Sequence, residues 1–221
     1  MAGLMMAAGS RVPVAEAGGV EFIAAGTVNG TGNDDLTLQY PAGSGAGDRL
    51  IAWMAWSNSG ADVSSSGWTV ETLVETTGIC GFLAHRIHPG SGTSATFTDS
   101  NFNGFRSIGA IVAYSGVDSV DDPTEAFESD AGTTDHDSGT VTPVAANSLI
   151  LACFAVKSAS DTSWTEPAGM DERVDGWHTT PDVAIGIFEV LQASTDPVSK
   201  TAVSSTAGRG VSYILALTPA S

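Results

Sequence analysis

The side chains best able to hold a metal or move a proton near neutral pH are four histidines, His85, His88, His136 and His178. His85 and His88 stand three apart on a segment that reads as a strand, so they point to opposite faces and cannot share one ion. No HExxH or CxxC occurs, and no Cys stands beside a His at ligand spacing. A nucleophilic Ser would need a sharp elbow to present it, or a His with a paired carboxylate, and the chain shows neither. No glycine-rich stretch leaves a strand to open a helix, so a phosphate cradle is unsupported. The expectation is a non-enzymatic protein with no metal and no cofactor.

Carboxylates and tryptophans leave narrower openings. Asp118, Asp121, Asp122 and Glu125 crowd the middle of the chain, Asp135 and Asp137 flank His136, and Asn33, Asp34 and Asp35 form a third group. Loop oxygens at such spacing can ligate Ca²⁺. None follows the EF-hand pattern, and the solvated loops of an acidic protein collect carboxylates anyway. Two carboxylates could also serve glycoside hydrolysis, given a fixed separation across a cleft. Trp53 and Trp56 lie on opposite faces of one strand and read as core. Trp164 and Trp177 fall in or next to loops, near Asp161, Glu166 and His178. They are the candidates for a ligand-facing surface, where aromatic rings would stack on glycan. Cys80 and Cys153 both sit in apolar runs and read as buried, inert thiols, with a disulfide left open.

The elements that must position these residues are strands. The chain has 221 residues, 26 of them Gly, and only two lysines, Lys157 and Lys200. Small residues are abundant and helix formers scarce, which suits many short strands joined by tight turns. The net charge of −17, with eight scattered basic residues, argues against a nucleic-acid partner. That charge also keeps a crowded surface from sticking to itself. No run reaches the ~18 apolar residues of a membrane span. Met1 to Gly9 lacks the basic region of a signal peptide. Residues 1–19, with Leu4, Met5, Met6, Val12 and Val14, read instead as an arm that docks on a neighbour, so a homo-oligomer is expected.

The chain also repeats itself. Gly47–Trp56 resembles Ala146–Ala155, and Ser66–Glu71 resembles Ala168–Arg173. Phe82–Ile87 then matches Ile185–Val190, and Arg106–Tyr114 matches Arg209–Leu217. Four matches in order, at an offset near one hundred residues, predict two diverged repeats, 20–119 and 120–221. Each reads as seven short strands, near 20–28, 35–40, 50–57, 68–75, 80–87, 94–98 and 107–114, then 126–129, 137–142, 149–156, 170–174, 183–191, 198–203 and 210–217. Turn signals such as Asn29-Gly30, Pro89-Gly90 and Asp196-Pro197 separate them. The fold class is therefore all-β, an antiparallel sandwich or jelly-roll-like architecture, with the repeats either separate or sharing one sandwich. Segment 149–156 is apolar on both faces, so it should be a central strand covered on both sides, by a partner sheet and by loops or a neighbouring subunit.

The opening Gly47-Asp48-Arg49-Leu50-Ile51-Ala52-Trp53, then Gly67-Trp68-Thr69, and the strand exit Ala113-Tyr114-Ser115-Gly116-Val117-Asp118 before a Pro-bearing loop together resemble small β-sandwich virion proteins of tailed bacteriophages. The resemblance covers most of residues 45–125 and, more faintly, the second repeat. Its motifs are structural and carry no site residues over. It implies location in the virion and partners such as the major capsid protein, with head decoration as the role. A tail or head fibre touching host-surface glycan is the alternative, and an enzyme acting on cell-surface polysaccharide the third.

Overall fold

The structure, a computed structural model, describes residues 19–221 except 33–34, 72–73, 102–105, 129–131, 159 and 180–181. Every regular element among them is a strand. The first half contains β1 (Glu21–Ala25), β2 (Asn29–Thr31), β3 (Leu36–Gln39), β4 (Arg49–Trp56), β5 (Val63–Ser64), β6 (Thr69–Val70), β7 (Val74–Thr76), β8 (Ile79–Ile87), β9 (Ser94–Asp99) and β10 (Ser107–Ser115). The second contains β11 (Val117–Glu128), β12 (Asp135–Asp137), β13 (Ser148–Lys157), β14 (Trp164–Thr165), β15 (Asp171–His178), β16 (Val183–Gln192), β17 (Thr201–Ser204) and β18 (Arg209–Pro219). All named pairings are antiparallel.

Each half is a large sheet backed by a small one. The large sheets run β1-β10-β4-β8-β6, with β2 and β7 added at the margins, and β11-β18-β13-β16-β15. The small sheets run β3-β9-β5 and β12-β17-β14. The two halves thus have corresponding strand orders. Their large sheets lie face to face, so the molecule has four layers and three apolar cores. The middle core, or seam, joins Ile51, Trp53, Leu83 and Val112 of the first half to Leu151, Ile185, Tyr213 and Leu215 of the second. The outer cores lie between each large sheet and its own small sheet.

This stacking explains the strands that are apolar on both faces: a sheet lies on each side, in place of the expected sheet on one side and loops or a neighbouring subunit on the other. Along β13, Leu149, Leu151, Cys153 and Ala155 enter the seam, while Ile150, Ala152, Phe154 and Val156 enter the outer core. Both faces are covered by the chain's own sheets. The boundary at 119/120 also moves. It falls inside β11, which among the described residues pairs only with β18, and the halves meet at Gly116, whose φ of 69° turns the chain from one large sheet to the other.

The repeat needs a one-residue correction at two of its four matches. Aligning Gly47 with Ala146 sets Leu50, which faces an outer core, against Leu149, which faces the seam. Aligning Phe82 with Ile185 makes the same error. Left-handed backbone marks the true register: Gly47 (φ 94°) corresponds to Asn147 (φ 60°), and Gly78 (φ 87°) to Asp182 (φ 62°). A left-handed conformation costs a side chain roughly 1–2 kcal/mol, least for Asn and Asp. Asn147→Gly and Asp182→Gly should therefore leave the chain as stable or up to about 1 kcal/mol more stable, read from urea melts.

The exposed margins are built against edge-to-edge pairing. β11 carries bulges at Val117/Ser119 and Asp121/Thr124, and β15 carries one at Glu172/Val174. Pro123 interrupts the donor row of β11, and acidic residues stud both strands.

Candidate functional site

One carboxylate is buried where the two large sheets meet. Glu189 interrupts the apolar run of β16 and is 5% exposed. Tyr114 of β10, fully buried, donates its hydroxyl to Glu189 Oε2 at 2.6 Å, and Arg173 of β15 donates to Oε1 at 2.6 Å. The Arg173 guanidinium also lies 4.3 Å from the centroid of the Phe22 ring. One carboxylate is thus held by both halves, with a cation and an aromatic face closing the site. Burial, then the neighbouring Glu189 charge, pushes the Tyr114 phenol well up, so it remains a donor.

Other bonds stitch the same seam. Trp53 Nε1 donates to Phe154 O at 2.8 Å. Lys157 Nζ donates to Ser57 O at 2.9 Å and Gly78 O at 3.0 Å, and Arg49 Nη2 to Asp118 O at 3.0 Å. Each joins one half to the other or to the strand that begins it. Together they fix the seam against sliding, which apolar contacts alone resist weakly.

The histidines are structural in their geometry. His85 Nε2 lies 3.1 Å from Glu71 Oε1, and burial outweighs that carboxylate to lower the imidazole pKa. His88 Nδ1 accepts from Gly90 N, and the His178 ring closes against Gly30. His136, 2% exposed on β12, places Nε2 3.0 Å from Ser204 Oγ and its ring edge-on to Trp164. A Ser–His contact of this kind sits in a sealed core, and Ser204 donates onward to backbone carbonyls, so no substrate reaches it.

His136 gives the molecule an acid-sensitive point. Its Nδ1 has no partner, and burial, only partly opposed by Asp135 and Asp137, lowers its pKa from 6.5 to about 4. The unfolded chain takes up the proton first. Stability is therefore complete above pH 6.5 and is lost as pH falls from 6.5 toward about 4, by roughly 3 kcal/mol in all. Urea melts across that range should show this slope, and His136→Phe should flatten it.

The residues expected to face a ligand divide. Trp164 is 6% exposed on β14, packed against His136 and Phe154 with its backbone N–H on Asp175. It offers no ring face to solvent, because the small sheet it belongs to covers the large one. Trp177 is half-buried and packs on the same core. On the same strand, burial raises the pKa of Glu172 and of Asp175; Asp175 and Glu166 raise Glu172 further, while Asp161 adds to Asp175 against the Trp164 N–H. The arm residues Leu4, Met5, Met6, Val12 and Val14 lie outside the described residues.

The carboxylate clusters resolve into braces and surface. Asp121, 7% exposed, accepts from Thr218 Oγ1, Val144 N and Ser119 Oγ. Asp35 is exposed, while Asn33, Asp34 and the side chains of Asp122 and Glu125 lie outside the described residues. Among the described residues, no three His, Cys, Asp or Glu side chains come together to hold a metal. Cys80 and Cys153 are free thiols in different cores, and burial raises the pKa of both, Cys80 to about 12.

The signal that sequence reading passed over was Glu189 itself. A lone carboxylate inside an apolar strand has to find a donor or a cation, so it announces a buried pair even when the partner is unknown. Compared with models of protein families, with curated proteins and with solved structures, the chain matches none.

Proposed function

We propose that this chain is a non-enzymatic structural protein of a virion, acting as a head decoration or cement protein on the capsid shell. The observation that supports this most is the internal cross-bracing: the buried carboxylate Glu189 and the cation Lys157 are committed to bonds between the two halves, and Arg173 lies over the Phe22 ring of the other half. A four-layer block braced in this way suits a mechanical part. Bulged, charged edges suit a part that stands at high local density without fusing to its neighbours. The resemblance of residues 45–125 to tailed-phage virion proteins supplies the setting. Trp164 lends nothing to the glycan-binding fibre reading, since its ring is enclosed.

The test is quantitative mass spectrometry of purified particles that contain the chain. Decoration requires a copy number comparable with that of the major capsid protein. A handful of copies would transfer the chain to the tail or the vertices, and its absence from particles would end the virion reading.

A further inference from the structure

The two halves are joined covalently at a single residue. β10 ends at Ser115 and β11 begins at Val117, with Gly116 between them. Each sheet belongs to one half or the other, so among the described residues no strand pairing ties the halves together. What holds them is the seam: its apolar core and the bonds from Tyr114 to Glu189, from Trp53 to Phe154 O, and from Lys157 to Ser57 O and Gly78 O. Each of these runs between the halves, and none requires that both halves belong to the same chain.

Gly116 is exposed, and its φ of 69° folds one half back over the other. With this residue extended instead, β10 would run on into β11 and the two seam faces of the chain would part. A bare seam face is a large apolar surface, and the surface that complements it is the opposite seam face of a second copy. The margins at β11 and β15 offer no competing route, because their bulges and acidic residues oppose pairing edge to edge.

We propose that two copies of this chain exchange halves across the seam, and that Gly116 is the hinge that sets the balance between exchanged dimer and closed monomer. In the dimer, Tyr114 donates to Glu189 of the second copy and Trp53 to Phe154 O of the second copy, so each core is completed by the partner. The two forms make the same seam contacts, and their balance therefore rests on the hinge and on protein concentration. A short connection favours exchange. Glycine opposes it, since the left-handed turn of the closed form costs glycine little. The inference stands whether or not the chain belongs to a virion.

Size-exclusion chromatography with light scattering tests it on the full chain, refolded at low and at high concentration. Wild type should be monomeric at low concentration and give a dimer whose share rises with concentration. Gly116→Val should favour the dimer by about tenfold for each hinge, because a β-branched residue resists left-handed backbone and prefers the extended form. Gly116→Asn tolerates that backbone and should stay close to wild type. A flexible glycine–serine linker inserted after Gly116 should abolish the dimer, which keeps the test decisive where Gly116→Val does not fold. Exchange also has a kinetic signature: the isolated dimer should persist on dilution and revert only after unfolding in urea and refolding at low concentration, since each core must open to release the partner half. A dimer that dissociates at once on dilution, a dimer share unchanged by the linker, or wild type and Gly116→Val that are both monomeric at every concentration would overturn the proposal.

Discussion

A chain cut after Gly116 should fail to give a folded monomer, although the first half has its own large and small sheets. The cut strips the seam from Ile51, Trp53, Ala55, Leu83, Ile108, Ala110 and Val112, all buried in the whole molecule. It exposes one face of a large sheet, a continuous apolar area well beyond the few hundred Å² that monomers tolerate. It also leaves the Tyr114 hydroxyl without Glu189 and the Trp53 indole without Phe154 O. Size-exclusion chromatography with light scattering should find aggregate or oligomer that binds hydrophobic dyes. A monodisperse, cooperatively unfolding monomer would mean that the seam is not an essential core.

The second large effect concerns the charge inside that seam. Arg173→Leu keeps the hydrogen bond from Tyr114 but leaves Glu189, 5% exposed, without its cation. Breaking a buried pair from one side costs about 3–5 kcal/mol. Because the Arg173 side chain is about a quarter exposed, the expected loss is nearer 2–4 kcal/mol. Glu189→Leu combined with Arg173→Leu should recover much of it, since no charge is then stranded. The double variant also separates this account from simple loss of packing. Recovery in it points to the stranded charge, while a loss that persists undiminished would assign the effect to the missing Arg173–Phe22 contact instead.

Much of the fold was legible in the sequence, and its failures have physical causes. The long strands β4, β8, β10, β13, β16 and β18 are apolar runs bounded by turn residues, and their positions were read to within a residue or two. The same apolar character concealed their register. When both faces of a strand are buried, a slip by one residue changes nothing in the hydrophobic pattern, while it exchanges seam for outer core. Left-handed positions at Gly47, Asn147, Gly78 and Asp182 carry the missing information, and only backbone angles reveal it. β11 was read as a short strand after an acidic link because Asp118, Asp121, Asp122 and Pro123 resemble a linker. Those residues are tolerated in a twelve-residue edge strand. β5 and β14, two residues each, are too short for any periodicity to show.

The site was less legible than the fold. Trp164 sits between loop-like residues, so its neighbours suggested exposure, yet β14 is folded over the large sheet by pairing with β17. Apolar, two-sided strands call for cover on both sides, which loops, a neighbouring subunit or the other half of the same chain could supply, and here the other half supplies it. Nothing local in a sequence distinguishes these cases. The Tyr114–Glu189–Arg173 group spans 75 residues and joins three strands, so only the packed structure assembles it.

The central structural claim is that both halves share one core. Native-state hydrogen exchange, followed by mass spectrometry on peptides covering β4 and β13, tests it most directly. The expected result is that the seam amides of both strands open together, with one free energy equal to that of global unfolding. Separate opening, with β4 exchanging while β13 stays protected or the reverse, would contradict it and divide the molecule into two independent sandwiches.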